Sequence, residues 1–386
     1  MDADSNAFCL DFFPTAAERI GTHVDRQEKA TFLLTLVSPV ELVAALQEYS
    51  PERFAQYESR RPAAYSTGRN PYRGLSAFQP DKAHLFFGRE ALTAALWQRF
   101  EAVHAKLDAT RLLAIVGPSG SGKSSVARAG LLATLAQASI PGPQPMRLAI
   151  VKPGEKPIAS LARALVPLLP ADNHVLSENR AIAIEELLRN PKAAGEGLWR
   201  FALSELTGLE QRPLVVLVDQ CEGLYTLCQD STERDLFVAL LLQAVQSRSV
   251  RVSVILTLRS DFLGETQRHH LELDRLIAAQ HELLPAMHPD ELRAAIAKPA
   301  EHAGRPLYAA TVDLLLAEAH SNQGALPLLE FALTRIWEGI ERGEEPGATL
   351  RQIRGVGDAL AGEAQKIYKT LTNAEQETAQ RALGAG

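Results

Sequence analysis

Cysteine is scarce. Three residues, Cys9, Cys221 and Cys228, stand in a chain of 386, with no C-x-x-C pair among them. That odd, scattered set excludes a disulfide scaffold and reads as reduced thiols. Long apolar runs are missing too. The longest, 112–116, 214–218 and 237–242, fall far short of the ~18 residues a membrane-spanning helix needs. Positive charge is not in excess: 40 Lys+Arg against 46 Asp+Glu leave a formal net charge of −6. Such a balance gives no electrostatic reason for bulk binding to nucleic acid or to an anionic membrane. The first residues, MDADSNAFCLDFF, carry acid where a secretory signal needs base. No H-E-x-x-H and no G-x-S-x-G occurs, which leaves zinc proteases and serine hydrolases without support. The three tryptophans, Trp97, Trp199 and Trp337, read as core anchors, and His269-His270 as a polar helix end. The expectation is a soluble, cytoplasmic protein without a membrane partner.

What is present is an ordinary globular composition, 46% hydrophobic and 22% charged. It can build a sizeable core, and the length suits two or three domains of ~150 residues. Residues 1–68 read as a helical module, with patterns at 16–36 and 40–49, ending in a polar linker around Arg60-Arg61-Pro62. From Arg111 the texture changes. Apolar runs at 112–116, 148–151, 214–218, 252–258 and 282–284 alternate with helical patterns at 124–138, 158–169, 181–189, 198–206 and 233–247. Continuous apolar strands between helices predict a parallel five-stranded sheet covered on both faces. Beyond Pro289 only helices are predicted, at 290–300, 309–319, 325–340, 358–370 and 374–383. The expected division is a helical module over 1–68, an α/β core over 69–285, a helical lid over 286–345 and a further helical region over 346–386.

One motif carries chemistry. Gly117-Pro118-Ser119-Gly120-Ser121-Gly122-Lys123-Ser124 matches the phosphate-binding pattern G-x-x-x-x-G-K-[ST] in full, after a predicted strand and before a predicted helix. Glycines let the loop aim successive backbone N–H groups at phosphates, and the helix adds the positive end of its dipole. Lys123 is expected to reach the β- and γ-phosphates and to stand exposed in an empty site. Ser124 is expected to place its hydroxyl on Mg²⁺. The run 213–218 ends in Asp219, where ligands bind in open α/β sheets, and a single carboxylate suffices for a Mg²⁺ shell. Glu222 is placed to activate the attacking water. Arg259, at the end of the next strand, is a candidate reader of the γ-phosphate, with pairing to Asp261 as the competing possibility.

Together these stretches resemble STAND NTPases, the signal-transduction P-loop ATPases related to AAA+ proteins and to NACHT and NB-ARC switches. The bacterial group called novel STAND NTPase 1 is the most similar. The resemblance runs over about 69–385. It is carried by Asn70-Pro71-Tyr72-Arg73-Gly74-Leu75, Phe87-Gly88-Arg89-Glu90, the P-loop through Ser125, Val218-Asp219-Gln220-Cys221-Glu222, Thr257-Leu258-Arg259-Ser260-Asp261 and Gln323-Gly324-Ala325-Leu326-Pro327. It implies that Gly88 and Arg89 face the adenine and ribose, and that Pro327 packs on the base from the lid. It also implies that 346–386 begin a winged helix. The nucleotide would be ATP or ADP with Mg²⁺, turnover slow, and self-association favoured in the ATP state. An effector or adaptor would dock through 1–68, and a role in bacterial defence would follow. Two other functions compete. One is an AAA+ or origin-type ATPase acting on nucleic acid, against which the net acidity counts. The other is a nucleotide-stabilised interaction scaffold, against which the intact Lys123, Ser124, Asp219 and Glu222 count.

Overall fold

The computed structural model describes residues 70–104, 109–137, 146–170, 177–190, 195–206, 208–209, 212–249, 251–320, 326–353, 355–357 and 359. The helical patterns expected at 16–36, 40–49 and 374–383, that at 358–370 apart from Ala359, and Gly324-Ala325, lie outside these residues.

Five strands form one sheet: β1 (Leu112–Gly117), β2 (Arg147–Val151), β3 (Leu214–Val218), β4 (Val252–Arg259) and β5 (His281–Leu283). Their order across the sheet is β2-β3-β4-β1-β5, and every neighbouring pair is parallel. The expected parallel five-stranded sheet is therefore present, with each strand within two residues of its predicted span. The reason the strands read as unbroken apolar runs is visible in the packing. In β1, Leu112, Ala114 and Val116 enter one core, while Leu113 and Ile115 enter the other. β3 divides the same way, Leu214, Val216 and Val218 against Val215 and Leu217. A strand buried on both faces has no polar side to alternate with.

Helices cover both faces. α1 (Glu90–His104) and α2 (123–137) pack on the face of Leu113 and Ile115 through Leu96, Phe100, Leu131 and Leu135. α2 is not regular: it starts at Lys123–Ser125, widens into a π-helical stretch Val126–Leu132 and ends as Ala133–Gln137. α3 (Pro157–Leu165), α4 (Ser177–Leu188) and α5 (Gly197–Glu205) lie on the opposite face. After the short α6 (Gly223–Thr226), α7 (Ser231–Gln246) joins them there. α7 starts where Asp230 accepts from Thr232 N at 2.9 Å and Glu233 N at 3.3 Å, a side-chain cap of free N–H groups. Glu233 then takes both arms of Arg189, just past the end of α4, at 2.6 and 2.8 Å, and Ile158 N of α3 at 3.3 Å.

Three helices of the α/β part went unpredicted, the single-turn α6, α8 (Leu263–His269) and α9 (Leu271–Ala279). α8 buries only Thr266, whereas α9 carries Leu273, Leu276 and Ile277 at helical spacing against the core, a stripe outside the expected helices. The remaining helices are α10 (Pro289–His302), α11 (Ala309–His320), α12 (Leu326–Glu341) and α13 (Pro346–Gln352), the last also unpredicted. None of the described helices is long and apolar enough to cross a membrane.

The chain divides into two compact units. One is Ala77–Glu291, which holds the sheet. The other joins the described residues 70–76 to the described residues from Leu292 onward. In this second unit the segment 70–76 lies on helices. Tyr72 donates its hydroxyl to Ile296 O at 2.6 Å, and its ring meets Trp337 edge-on at 6.2 Å. Glu330 of α12 accepts from Arg73 N at 3.1 Å. The stretch 70–76 clusters with the helical unit, where its one large aromatic, Tyr72, is buried.

Candidate phosphate and metal site

The register of the sheet builds the site. Gly117 lies opposite Arg259, and Val218 opposite Leu256, so β1, β3 and β4 end along one edge. Residues just beyond these positions converge by topology alone.

The loop 117–122 leaves β1 and enters α2. Gly120 and Gly122 have φ of +69° and +89°. Side chains rarely adopt this left-handed region, and here it turns the chain into the first helical turn. Ser121 Oγ is buried without a partner, an unmet polar atom within the loop. Lys123 departs from the sequence expectation. It is buried, not exposed, and its Nζ donates to Gly117 O at 3.0 Å and Pro118 O at 2.7 Å. The aliphatic stem fits beneath the loop, and the ammonium satisfies two loop carbonyls. Burial lowers its pKa, with Glu222 the largest opposing charge.

Ser124 donates its hydroxyl to Asp219 Oδ1 at 2.7 Å. The motif serine and the strand-end carboxylate, 95 residues apart, are therefore in direct contact. Asp219 is fully buried and carries further donors that sequence reasoning did not anticipate. Thr257 Oγ1 donates to Oδ1 at 2.7 Å, and Arg128 Nε and Nη2 donate to Oδ2 at 2.9 and 2.7 Å. A signal for Thr257 existed, since it is a polar residue in the apolar run of β4, two positions from Arg259 and hence on its side of the strand. Arg128 had only its spacing of five from Lys123.

The turn after Asp219 is pinned to the same threonine. Gln220 N donates to Thr257 Oγ1 at 2.8 Å, and Cys221 N to Thr257 O at 2.9 Å. Gln220 takes φ of +58°, the one described non-glycine residue with positive φ. Strain of this kind persists where surrounding bonds over-determine it. It aims Glu222 back across the sheet edge, where its Oε2 accepts from Arg259 N at 3.3 Å. Burial raises the Glu222 pKa, with its own backbone bond and Lys123 opposing. Next to it, Cys221 is fully buried and its thiol is pushed up to about 12.

Arg259 carries its guanidinium on Asp261, at 3.1 and 2.7 Å, and over the Phe262 ring at 5.3 Å. Arg89 is buried: it donates to Pro285 O at 2.9 Å and lies 3.5 Å from Glu291. At Gly88 an added Cβ would meet Glu291 O at 2.2 Å, so only glycine allows that close approach. Ser125 Oγ accepts from Phe78 N at 3.2 Å. Pro118 is exposed, and Ser119 half-buried. Pro327 is the second residue of α12, where its missing N–H is harmless. His270, expected as a polar helix end, is buried and bridges Tyr225 Oη at 3.0 Å and Asp235 Oδ1 at 3.1 Å.

The donor set fits a hard cation. One hydroxyl and one carboxylate, both oxygen, suit Mg²⁺, which takes the rest of its shell from phosphates and water. No group of three His, Cys, Asp or Glu among the described residues forms an all-protein cage. The unmet Ser121 Oγ and the loop N–H groups suit an anion.

A model of the family Novel STAND NTPase 1 matches residues 71–385. No curated protein matches the chain. Among solved structures, the ORC2 protein of Aeropyrum pernix in its ADPNP–ADP complexes is similar at 15% identity, over 67% of this chain and 64% of that one, with a TM-score of 0.48. Its ADP form matches at 16% identity over 71% and 66%, with a TM-score of 0.43. Cdc6p from Pyrobaculum aerophilum matches at 12% identity over 67% and 63%, with a TM-score of 0.41. The chain spans less than two thirds of the length of each of these structures. The family match runs from the segment before the phosphate loop to almost the last residue, and the protein belongs to the novel STAND NTPase 1 family.

Proposed function

We propose that this protein is a nucleotide-driven switch that binds ATP with Mg²⁺, hydrolyses it slowly and passes its nucleotide state to the helical unit. The observation that carries the reading is the 2.7 Å bond between Ser124 and Asp219. It joins the hydroxyl of the phosphate-loop helix to the carboxylate that ends β3.

In this reading Lys123 leaves Gly117 O and Pro118 O and turns its ammonium to the β- and γ-phosphates. Gly117 through Gly122 offer backbone N–H groups, and Ser119, Ser121 and Ser125 line the loop. Ser124 and Asp219 hold the metal. When bound, Mg²⁺ neutralises charge developing on the phosphate oxygens. Glu222 accepts the proton of the attacking water, and its raised pKa suits a base. Arg259 exchanges Asp261 for the γ-phosphate and so distinguishes ATP from ADP. The segment of Gly88 and Arg89 backs the base side, and Pro327 belongs to the lid that responds. A ligand shifts such an equilibrium only through unequal affinity for the two states. Self-association in the ATP state, an effector docking through 1–68 and a signalling or defence role complete the proposal.

The test is to identify the nucleotide carried by purified protein, then to titrate MgATP and MgADP calorimetrically. Oligomeric state is measured under each. Adenine nucleotide in the preparation, micromolar or tighter binding and a larger assembly with ATP are expected. Equal assembly and equal hydrogen exchange under ATP and ADP would reduce the protein to a nucleotide-stabilised scaffold.

A further inference from the structure

Asp219 bears four donors on two oxygens. Oδ1 takes Ser124 and Thr257, both at 2.7 Å. Oδ2 takes Arg128 Nε at 2.9 Å and Nη2 at 2.7 Å. The remaining arm of the guanidinium, Nη1, donates to Gln79 Oε1 at 3.0 Å. The side chain of Asp219 is 0% exposed and that of Arg128 12%, so the pair is largely removed from water. Arg128 lies in the π-helical stretch of α2, where Ala133 N–H reaches back five residues to Arg128 O. Such widened turns often mark functional positions.

A carboxylate that helps hold Mg²⁺ beside a nucleotide needs no cation of its own. A guanidinium paired with it works against metal binding, because it cancels the charge that would attract a dication. Before nucleotide arrives Arg128 and Asp219 are in contact, and their two charges cancel. The phosphates of a nucleotide would then bring most of the attraction for the metal.

We propose that Arg128 is a positioning residue of this site: fixed by Gln79 and paired with Asp219 Oδ2, it leaves Oδ1 facing Ser124 and keeps the site from taking a divalent cation until nucleotide is bound. The proposal rests on the phosphate-site reading above and adds an order of binding to it.

The test uses the full chain freed of nucleotide and reads Mn²⁺ binding by paramagnetic resonance. Wild type, Arg128→Met, Arg128→Lys and the double variant Arg128→Met/Asp219→Asn are compared. Binding of ADP in EDTA is measured alongside on wild type and Lys123→Ala. That arm reports the phosphate site by itself: no ADP binding in wild type would overturn the phosphate reading, whatever Mn²⁺ does. For the charge pair, wild type should bind Mn²⁺ alone only weakly. Arg128→Met should bind it about 10-fold or more tightly, because an unopposed buried carboxylate attracts the cation. Arg128→Lys restores the charge and should return to the wild-type value, and the double variant should lose the gain. Equal Mn²⁺ affinity in wild type and Arg128→Met would overturn the proposal, and so would a gain in Arg128→Lys as large as in Arg128→Met. If Arg128→Met alone fails to fold, folding should return in the double variant, which leaves no unpaired buried charge. Failure of both to fold would assign Arg128 to packing and overturn the proposal.

Discussion

The hydroxyl of Thr257 donates to Asp219 Oδ1 at 2.7 Å while accepting from Gln220 N at 2.8 Å. One buried side chain thus orients the Asp219 carboxylate and fixes the turn that carries Glu222. Thr257→Val keeps the shape and removes both bonds. Leaving Gln220 N–H without its acceptor costs about 1–3 kcal/mol. Chemical denaturation should show that loss, together with weaker Mg²⁺ dependence of nucleotide binding. Wild-type stability in the valine variant would mean that water or another acceptor replaces the hydroxyl.

Lys123→Ala should lower MgATP affinity about 100-fold or more, because a charge-assisted contact to phosphate is lost. The folded protein should tolerate the change. Burial already disfavours the ammonium, so removing it relieves a desolvated charge as well as freeing Gly117 O and Pro118 O. Calorimetry and melting measured together separate the two effects. A melting point that drops by more than ~8 °C would make Lys123 a structural residue first.

Glu222 and Asp219 should divide the work. Glu222→Gln should keep MgATP affinity within about 3-fold and slow hydrolysis about 100-fold or more, since it keeps size but loses the proton acceptor. Asp219→Asn should weaken the Mg²⁺ dependence of binding. Burial raises the Glu222 pKa, so the ionised base forms at higher pH than for an exposed glutamate. Single-turnover hydrolysis should rise with pH through a midpoint above ~4.3, and the glutamine variant should lose that rise. A flat profile in wild type would remove Glu222 from proton transfer.

Glu330, in the helical unit, is pushed up to about 7, chiefly by burial, with the Arg73 N–H bond and the Arg73 charge opposing. A raised pKa means that the folded state holds the proton more tightly than the unfolded state. Its contribution is therefore full below the ordinary glutamate range and is lost as pH rises through about 7. Glu330→Gln keeps an acceptor for Arg73 N and does not ionise. It should match wild type at pH 5 and exceed it at pH 8 by about 1–2 kcal/mol. Parallel pH profiles for the two proteins would show that the carboxylate is hydrated in the folded state.

Arg259→Ala should abolish any difference between ATP and ADP in hydrogen exchange over 286–347, and leave ADP affinity within about 3-fold, since ADP lacks the group the arginine would read. Its present contact, Asp261, forms an ion pair at the surface and contributes little stability. Retention of a full ATP/ADP difference in the variant would assign the sensing to another residue.

The amino-acid sequence by itself determined the class of fold and the phosphate loop. Residues buried on both faces of β1 and β3 must be apolar without interruption, and a loop that wraps phosphate must place Gly120, Gly122, Lys123 and Ser124 in one short stretch. Both demands are local, so they show along the chain. Asp219 and Glu222 were legible for the same reason, as the polar residues that follow a buried strand. The tertiary structure alone decided what those residues touch. α8 buries a single side chain, too few for a periodicity to show, and Tyr72 joins the helical unit through contacts more than 200 residues away. Lys123 is buried because the loop carbonyls fold over its ammonium, a closure that no spacing encodes. Arg128 and Thr257 reach Asp219 from 91 and 38 residues away, by way of an irregular helix and a neighbouring strand. Hydrogen bonds at the end of a sheet depend on which strands are adjacent, and the order β2-β3-β4-β1-β5 sets β4 between the strand of the phosphate loop and the strand of Asp219. Strand order is settled by how helices pack on the two faces, so these contacts exist only once the whole sheet is assembled.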